Sequence, residues 1–471
     1  MRKNLNLTIC LILTSAVILF SCKKQHKKNE PVPEPVKSDS TAIIAYSIPN
    51  QLGTSFFTKV ADSLKIIIYT TDSLDRENAI PAIQVAPGAT ISPASGEKVN
   101  FASKGDKITY RVTSESGSMA KWYIELRRPL VYRDPIVTAF FERTEGCIAN
   151  DAGTTTLLDD GRVLWTLGDT YIDRYRESDK TVPCLFQVRN AALLQPANNW
   201  NWRQTQTLLS PAKGTLYQPI ADGKYFNWPS GGFQIGDTVF VYSGNYESTG
   251  GGGFGFKGTG IDMLVKMKYP EMTVAGYHYL PRFNDIGFGS SFDKDADGFT
   301  YTYGFKQTFI YNDVFAARFP SNNPYAAWTF WDGTGWSTDI KKIKRIGESA
   351  SSGAHIAKVK NKFVLVSSQF SVGCDQGKEI YIASSNNRTG PYTTRKKIYT
   401  IDGDKLDGHY PFFYAPILHP EFINEKNEIL ITYAVNGFSG CFNTCKSGRM
   451  DPDTYRLRGI RVPLYLIDSS F

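Results

Sequence analysis

Asp151 and Asp169 stand nine residues before and nine after Asp160, in the tight turn Asp159-Asp160-Gly161-Arg162. The segments that join them to the turn are rich in Thr, Leu, Val and Trp and read as two strands of a hairpin. Antiparallel pairing then makes the two aspartates near cross-strand neighbours, with Cα atoms about 4.5–5.5 Å apart. Like charges at that range push one pKa upward, so that identical side chains divide into an acid and a base. Two carboxyls in those roles are the minimum equipment for hydrolysing a glycosidic bond. Turn capping explains a single Asp beside a strand end. Two at matched positions, within Asn150-Asp151 and Gly168-Asp169-Thr170, point beyond capping.

What must position such a pair is a repeated hairpin. NDAGTTTLLDDGRVLWTLGDTY (150–171) is the first of five segments in which a small or polar group leads into an apolar strand, a polar turn and a second β-prone strand. The others are NWPSGGFQIGDTVFVYSGNY (227–246), GSSFDKDADGFTYTYGFK (289–306), SSGAHIAKVKNKFVLVSSQF (351–370) and YAPILHPEFINEKNEILITYAVN (414–436). Their turns recur at roughly sixty to eighty residues, a spacing suited to decorated four-stranded blades. The expected fold is all-β, a five-bladed β-propeller over 131–471, with inner strands near 153–158, 231–235, 289–293, 353–359 and 414–419. Residues just before each inner strand, and at the end of the next, then meet at one mouth of the central channel.

The first hairpin resembles the first blade of propeller proteins related to the endo-D-arabinanases of glycoside hydrolase family 183. More loosely, it is similar to the arabinanase-type propellers of family 43. VFAARFP (314–320), WTFWDGTGW (328–336), SSNNRTGPY (384–392) and the YAPILHPEF and ITYAVN runs of the last repeat share the resemblance. It spans about 330 residues as short motifs, and implies that the two aspartates are the catalytic pair. The N-terminal region and the strongly aromatic second and third repeats depart from that pattern.

The same mouth geometry selects substrate-binding candidates: Asn150 beside the first aspartate, Trp228, Asn245 and Tyr246 in the second repeat, His355 and Gln369 in the fourth, Tyr414 and Asn436 in the fifth. Aromatic rings at a mouth stack on sugar faces, although Trp228 fits equally as core between blades. His355 and His419 fall farther along their strands and read as buried structural residues, with His355 within reach of the pocket. Arg189 has two readings, a binder of an anionic substrate group and a surface salt-bridge partner, of which the second is the expectation. No metal or cofactor is expected. Asp293 to Gly298 opens like a calcium loop, but its twelfth position is Gly304 rather than Glu. The glycine run 250–256 lacks the Gly-Lys-Ser/Thr of a phosphate loop and reads as a loop over the pocket. Cys441 and Cys445 have no second pair of ligands for zinc. Cys374 and Cys441 are a conceivable disulfide between adjacent blades.

The N-terminus speaks to compartment. Arg2 and Lys3 precede an apolar stretch, Leu7 to Phe20, too short to span a bilayer. Leu19-Phe20-Ser21-Cys22 resembles the bacterial lipoprotein cleavage signal, with Cys22 as the lipidated residue and 1–22 as signal peptide. The charged, Pro-rich segment 23–41 is an expected tether. Residues 1–37 carry seven Lys/Arg and two Glu, hence +5 of the net +8, leaving about +3 for the rest. That residue excludes nucleic acid as a partner and places the basic tether beside anionic lipid at an envelope membrane, the outer membrane in this reading. Five cysteines follow Cys22, an odd number in a compartment that allows disulfides.

Residues 42–130 read as a separate small domain, with strands Leu64–Thr70, Ile108–Thr113 and Trp122–Leu126. The run from GATISPASGEKVNF to AKWYIEL resembles the immunoglobulin-like domains that precede catalytic or binding modules in envelope lipoproteins of Bacteroidota, which implies a spacer. The whole reads as a monomeric, lipid-anchored glycoside hydrolase acting on a polysaccharide or oligosaccharide, an arabinan in the first instance. A non-catalytic glycan-binding lipoprotein and an adhesive surface protein are the alternatives.

Overall fold

The computed structural model describes residues 37–471, apart from 52–54, 61–62, 71–73, 128–130, 221–222, 251–254, 352, 425–427, 439–442 and 469. Cys22, the tether up to residue 36 and Cys441 therefore lie outside the described residues.

The N-terminal unit is built on a five-stranded sheet in the order Phe56–Val60, Ser63–Tyr69, Met119–Arg127, Lys107–Thr113, Thr90–Ser92, beside a two-stranded sheet of Ile43–Ser47 and Ala82–Val85. Alternation of buried and open residues in Lys107–Thr113 and Met119–Arg127 turns Tyr110, Val112, Trp122, Ile124 and Leu126 into one core. The three strands expected there are present.

Beyond Val131 the described residues form five antiparallel sheets of four or more strands, besides one two-stranded pairing. In the first, Cys147–Leu157 pairs with Val163–Ile172, followed outward by Ala191–Gln195 and Gln206–Leu208. The second, third and fourth begin at Tyr225–Ile235, Phe292–Lys294 and Ala354–Val359. The fifth runs Phe412–His419, Glu428–Asn436, Arg458–Pro463 and ends on Tyr132–Arg133, so the two ends of this region share one sheet. The first strands of the five sheets touch in a closed cycle, first against second through to fifth against first.

A separate apolar core fills each gap between neighbouring sheets. Leu164 and Leu194 meet Val241 and Met263 between the first and second; Leu264 meets Phe319 and Trp328 between second and third. Tyr303 and Val314 meet Ile356 and Leu365; Val364 and Ile382 meet Ile429 and Ile431; Trp165 and Leu193 meet Leu430 and Leu457. This explains why the second strands, Val163–Ile172 and Lys362–Ser368, are buried at every position and do not alternate: both faces are covered by other sheets.

The helix Pro135–Phe141 enters this region with Pro in its first turn and the Asp134 carboxylate accepting from the Ile136 and Val137 amides. The Asp134 side chain also receives Arg461 Nε at 2.6 Å. The first and fifth sheets are further joined by a Cys184–Cys445 disulfide and by the pairing of Val182–Pro183 with Arg449–Met450. Cys374 is also disulfide-bonded; Cys147 is the free, buried thiol among the described cysteines.

Candidate active site

The two aspartates are close neighbours on the first hairpin, near enough for the Asp169 amide to donate to the Asp151 carboxylate. Thr170 pairs with Asn150 and Leu167 with Ala152, and the ladder between them is interrupted. Ala152 and Gly153 adopt φ of 61° and 95° there, the signature of a bulge that bends a strand and re-aims its side chains. Similar register shifts fall between Pro229 and Gly232 and between Tyr414 and Ile417. First strands of the second and fifth sheets are thus bent at comparable places, and side chains from three sheets converge on the pair.

Asp151 is half-buried, and its Oδ2 accepts the Tyr414 and Tyr455 hydroxyls, each at 2.9 Å. The Asp169 amide also donates to its carboxylate. Asp169 is 6% exposed and has different partners. Its Oδ1 accepts Trp228 Nε1 at 3.0 Å and its Oδ2 accepts Arg189 Nη1 at 3.1 Å. Arg189 lies between the rings of Phe186 and Phe226, 4.7 and 4.3 Å from their centroids.

These environments separate the carboxyls. Burial raises both pKa values. The Asp151 charge raises Asp169 further, against the opposing Arg189, to about 7. Asp151, with three uncharged donors on its oxygens, is the member that ionises first. Once Asp151 has ionised, the one proton the pair retains is on Asp169, and it leaves as pH rises through about 7. Tyr414 and Tyr455, buried beside these carboxylates, are pushed upward and stay protonated donors.

Of the sequence candidates, Trp228 and Tyr246 form a wall beside Asp169 with Phe226 and Phe256; Trp228 lies 4.8 Å from Tyr246 and 4.7 Å from Phe256. The Trp228 indole packs in this wall and donates to Asp169. Tyr414 is at the site, and Asn150 is buried next to Asp151 with its amide 3.5 Å from the Asp151 carbonyl. The remaining candidates are elsewhere. Asn245 is 2% exposed and spends its amide inside the second sheet on Phe226 and Thr259. Gln369 is exposed beyond the end of its strand. Asn436 accepts from the Phe438 amide and caps its own turn.

His355 is buried, with Nδ1 accepting the Leu418 amide at 3.4 Å, and burial lowers its pKa to about 3. His419 is fully buried between the Thr155 and Thr432 hydroxyls, at 2.7 Å from each. Arg189, expected as a surface ion pair, instead pairs with the buried acid. Tyr455 had no sequence signal: it sits on the turn Pro452–Tyr455, outside every hairpin that the repeat defines.

The calcium-like run is occupied by the protein's own cations. Asp293 and Asp295 pair with Arg388 and Lys358, and Asp297 with Arg318. Among the described residues no group of ligands is placed to hold a metal. Of the glycine run, 251–254 lie outside the described residues; at its far end Phe256 joins the aromatic wall.

Residues 134–465 match the family model described as "Domain of unknown function (DUF5005)", and residues 45–125 the one described as "SGBP, N-terminal". No match was found among curated proteins. Among solved structures, a Bacteroides ovatus ATCC 8483 protein provisionally described as a hydrolase superposes with a TM-score of 0.58 at 19% identity, over 72% of this chain and 92% of its own. That likeness is one of fold. An α-L-arabinofuranosidase from Lactobacillus brevis (TM-score 0.40, 10% identity, 70% and 92% covered) and an endo-arabinase from Bacteroides thetaiotaomicron VPI-5482 (0.39, 11%, 69% and 99%) are more distant.

Proposed function

The chain belongs to the DUF5005 family through residues 134–465, and we propose that this region is a five-bladed β-propeller hydrolase that cleaves glycosidic bonds in a polysaccharide. The five sheets, their five inter-sheet cores and the closed cycle of first strands support the propeller reading. The unit matched over 45–125 is then an immunoglobulin-like spacer.

The observation that carries the activity is the neighbouring, electrostatically coupled carboxyl pair with unequal partners. Asp169, which keeps its proton below about 7, donates to the leaving oxygen of the scissile bond. Asp151, ionised and fixed by two phenols, acts from the other side as base on water or as nucleophile. Trp228 and its neighbouring rings offer a stacking face for a sugar beside the acid. An arabinan is the first substrate to try, following the arabinanase resemblance of the first hairpin.

Release of reducing sugar from arabinans and related polysaccharides tests this directly. The expected rate is bell-shaped in pH. The alkaline limb marks loss of the Asp169 proton near about 7, and the acid limb marks protonation of Asp151. The aromatic wall supports one other reading, a glycan binder without turnover. Retention on a polysaccharide column, with no sugar released at any pH from 4 to 9, would decide for it.

For localisation, we propose attachment to the outer membrane through a lipid on Cys22. Fractionation of a Cys22→Ser variant should move the protein from membrane to soluble fraction; unchanged partitioning would refute the anchor.

A further inference from the structure

A second site lies at the outer edge of the first sheet, around a buried arginine. Arg143 is 2% exposed, just beyond the helix Pro135–Phe141, with Phe140 and Trp202 rings 5.9 and 5.4 Å from its guanidinium. Nη2 reaches the Thr205 carbonyl and Thr207 Oγ1, each at 3.5 Å, the limit of a hydrogen bond. Nε and Nη1 are buried with no partner, and so is Thr205 Oγ1.

Other buried arginines nearby have carboxylates. Arg133 pairs with Asp404, Arg456 with Asp453 and Arg461 with Asp134. Arg143 has none among the described residues; the group that acts on it electrostatically is Cys147. That thiol is fully buried and pushed up to about 12, so it is neutral and supplies no counter-charge. A guanidinium does not give up its proton in a protein. A permanent positive charge is thus enclosed with two guanidinium nitrogens and a hydroxyl that have no acceptor, an arrangement of high cost unless an anion completes it.

We propose that Arg143 and Thr205 bind a small monovalent anion, of which chloride is the type. Three buried donor atoms without an acceptor, Arg143 Nε and Nη1 and Thr205 Oγ1, suit a single spherical charge, and water would supply an acceptor without the charge. The anion would fasten the outer strand Gln206–Leu208 to the segment that follows the helix, independently of the Asp151–Asp169 site.

The test is thermal unfolding of the full chain in sodium chloride and in sodium gluconate at equal ionic strength. A native-state ligand raises stability with the logarithm of its concentration above its dissociation constant. The expected result is a midpoint several degrees higher in chloride than in gluconate, with bromide substituting for chloride. Arg143→Met should abolish the difference. Thr205→Val, which keeps the charge, should reduce it and serves as the readout if Arg143→Met does not fold. A bromide-soaked crystal should show an anomalous peak beside Arg143. Equal midpoints in the two salts, an undiminished difference in the variants, or no such peak would overturn the site.

Discussion

Asp151→Asn and Asp169→Asn should each lower turnover by about 10²–10⁴-fold, the usual contribution of a general acid or base, while each variant remains folded. Asn keeps the size of the side chain and can still meet the Tyr414 and Tyr455 hydroxyls or the Trp228 indole. It neither donates an acid proton nor holds negative charge. The double variant should be little worse than either single one, because the two residues act as a unit.

Stability separates this from a structural role. In the fold Asp169 titrates near about 7, whereas an unfolded Asp titrates near about 3.9. Between those values the folded state holds a proton that the unfolded state has released. Asp169 therefore lowers stability as pH rises through this window, and the full penalty is present above it. Removing the titration in Asp169→Asn should flatten the decline of melting temperature from pH 4 to pH 8. An Asp that merely tied down the strand would show the reverse, a midpoint lower by several degrees with turnover per folded molecule preserved. Near-wild-type turnover in either Asn variant would end the catalytic assignment.

The sequence already located this pair, because an antiparallel hairpin puts residues equidistant from its turn opposite each other, whatever surrounds it. Asp151 and Asp169 obey that count even though the ladder is broken between them. The five hairpins were legible for a related reason: each buries most of its second strand between neighbouring sheets and so carries a β-prone, largely apolar run. The bulges were not legible. Ala152 takes a positive φ that its residue type does not announce, and such bends decide which side chains leave the ladder for the site. Asn245, Gln369 and Asn436 were placed at the channel mouth as residues closing each second strand; Asn245 and Asn436 bond locally and Gln369 is exposed.

Contacts between distant segments were the other blind spot. Tyr455 approaches Asp151 across 304 residues, and Cys184 and Cys445 join across 261. No periodicity within one repeat encodes such meetings. The short helix was missed for a different reason. Seven residues are under two turns, too few to show a 3.6-residue pattern, although Asp134-Pro135 is a start signal that could have revealed it.

Gly168→Ala should lower turnover by about 10²-fold, the scale of a 1 Å misplacement at a reacting centre, without touching either carboxyl chemically. A Cβ at residue 168 would lie 2.2 Å from Asp151 Oδ1 and 3.4 Å from its Cγ. Gly168 is in ordinary extended backbone, unlike Gly153 at φ +95°, so alanine meets no backbone strain and the contact is the whole perturbation. The neighbouring atom is the carboxylate itself, which must swing away and give up the Tyr414 and Tyr455 hydroxyls. Overpacking of this kind costs about 1–3 kcal/mol, seen as a modest loss of melting temperature. If the activity is lost through Asp151, the Gly168→Ala and Asp151→Asn effects will not add: the double variant will turn over no slower than Asp151→Asn alone. Were Asp151 only a turn cap, Gly168→Ala would lower the melting temperature and leave turnover within about threefold of wild type. That outcome would remove Asp151 from the mechanism and leave Asp169 as the sole carboxyl at the site with a claim to it.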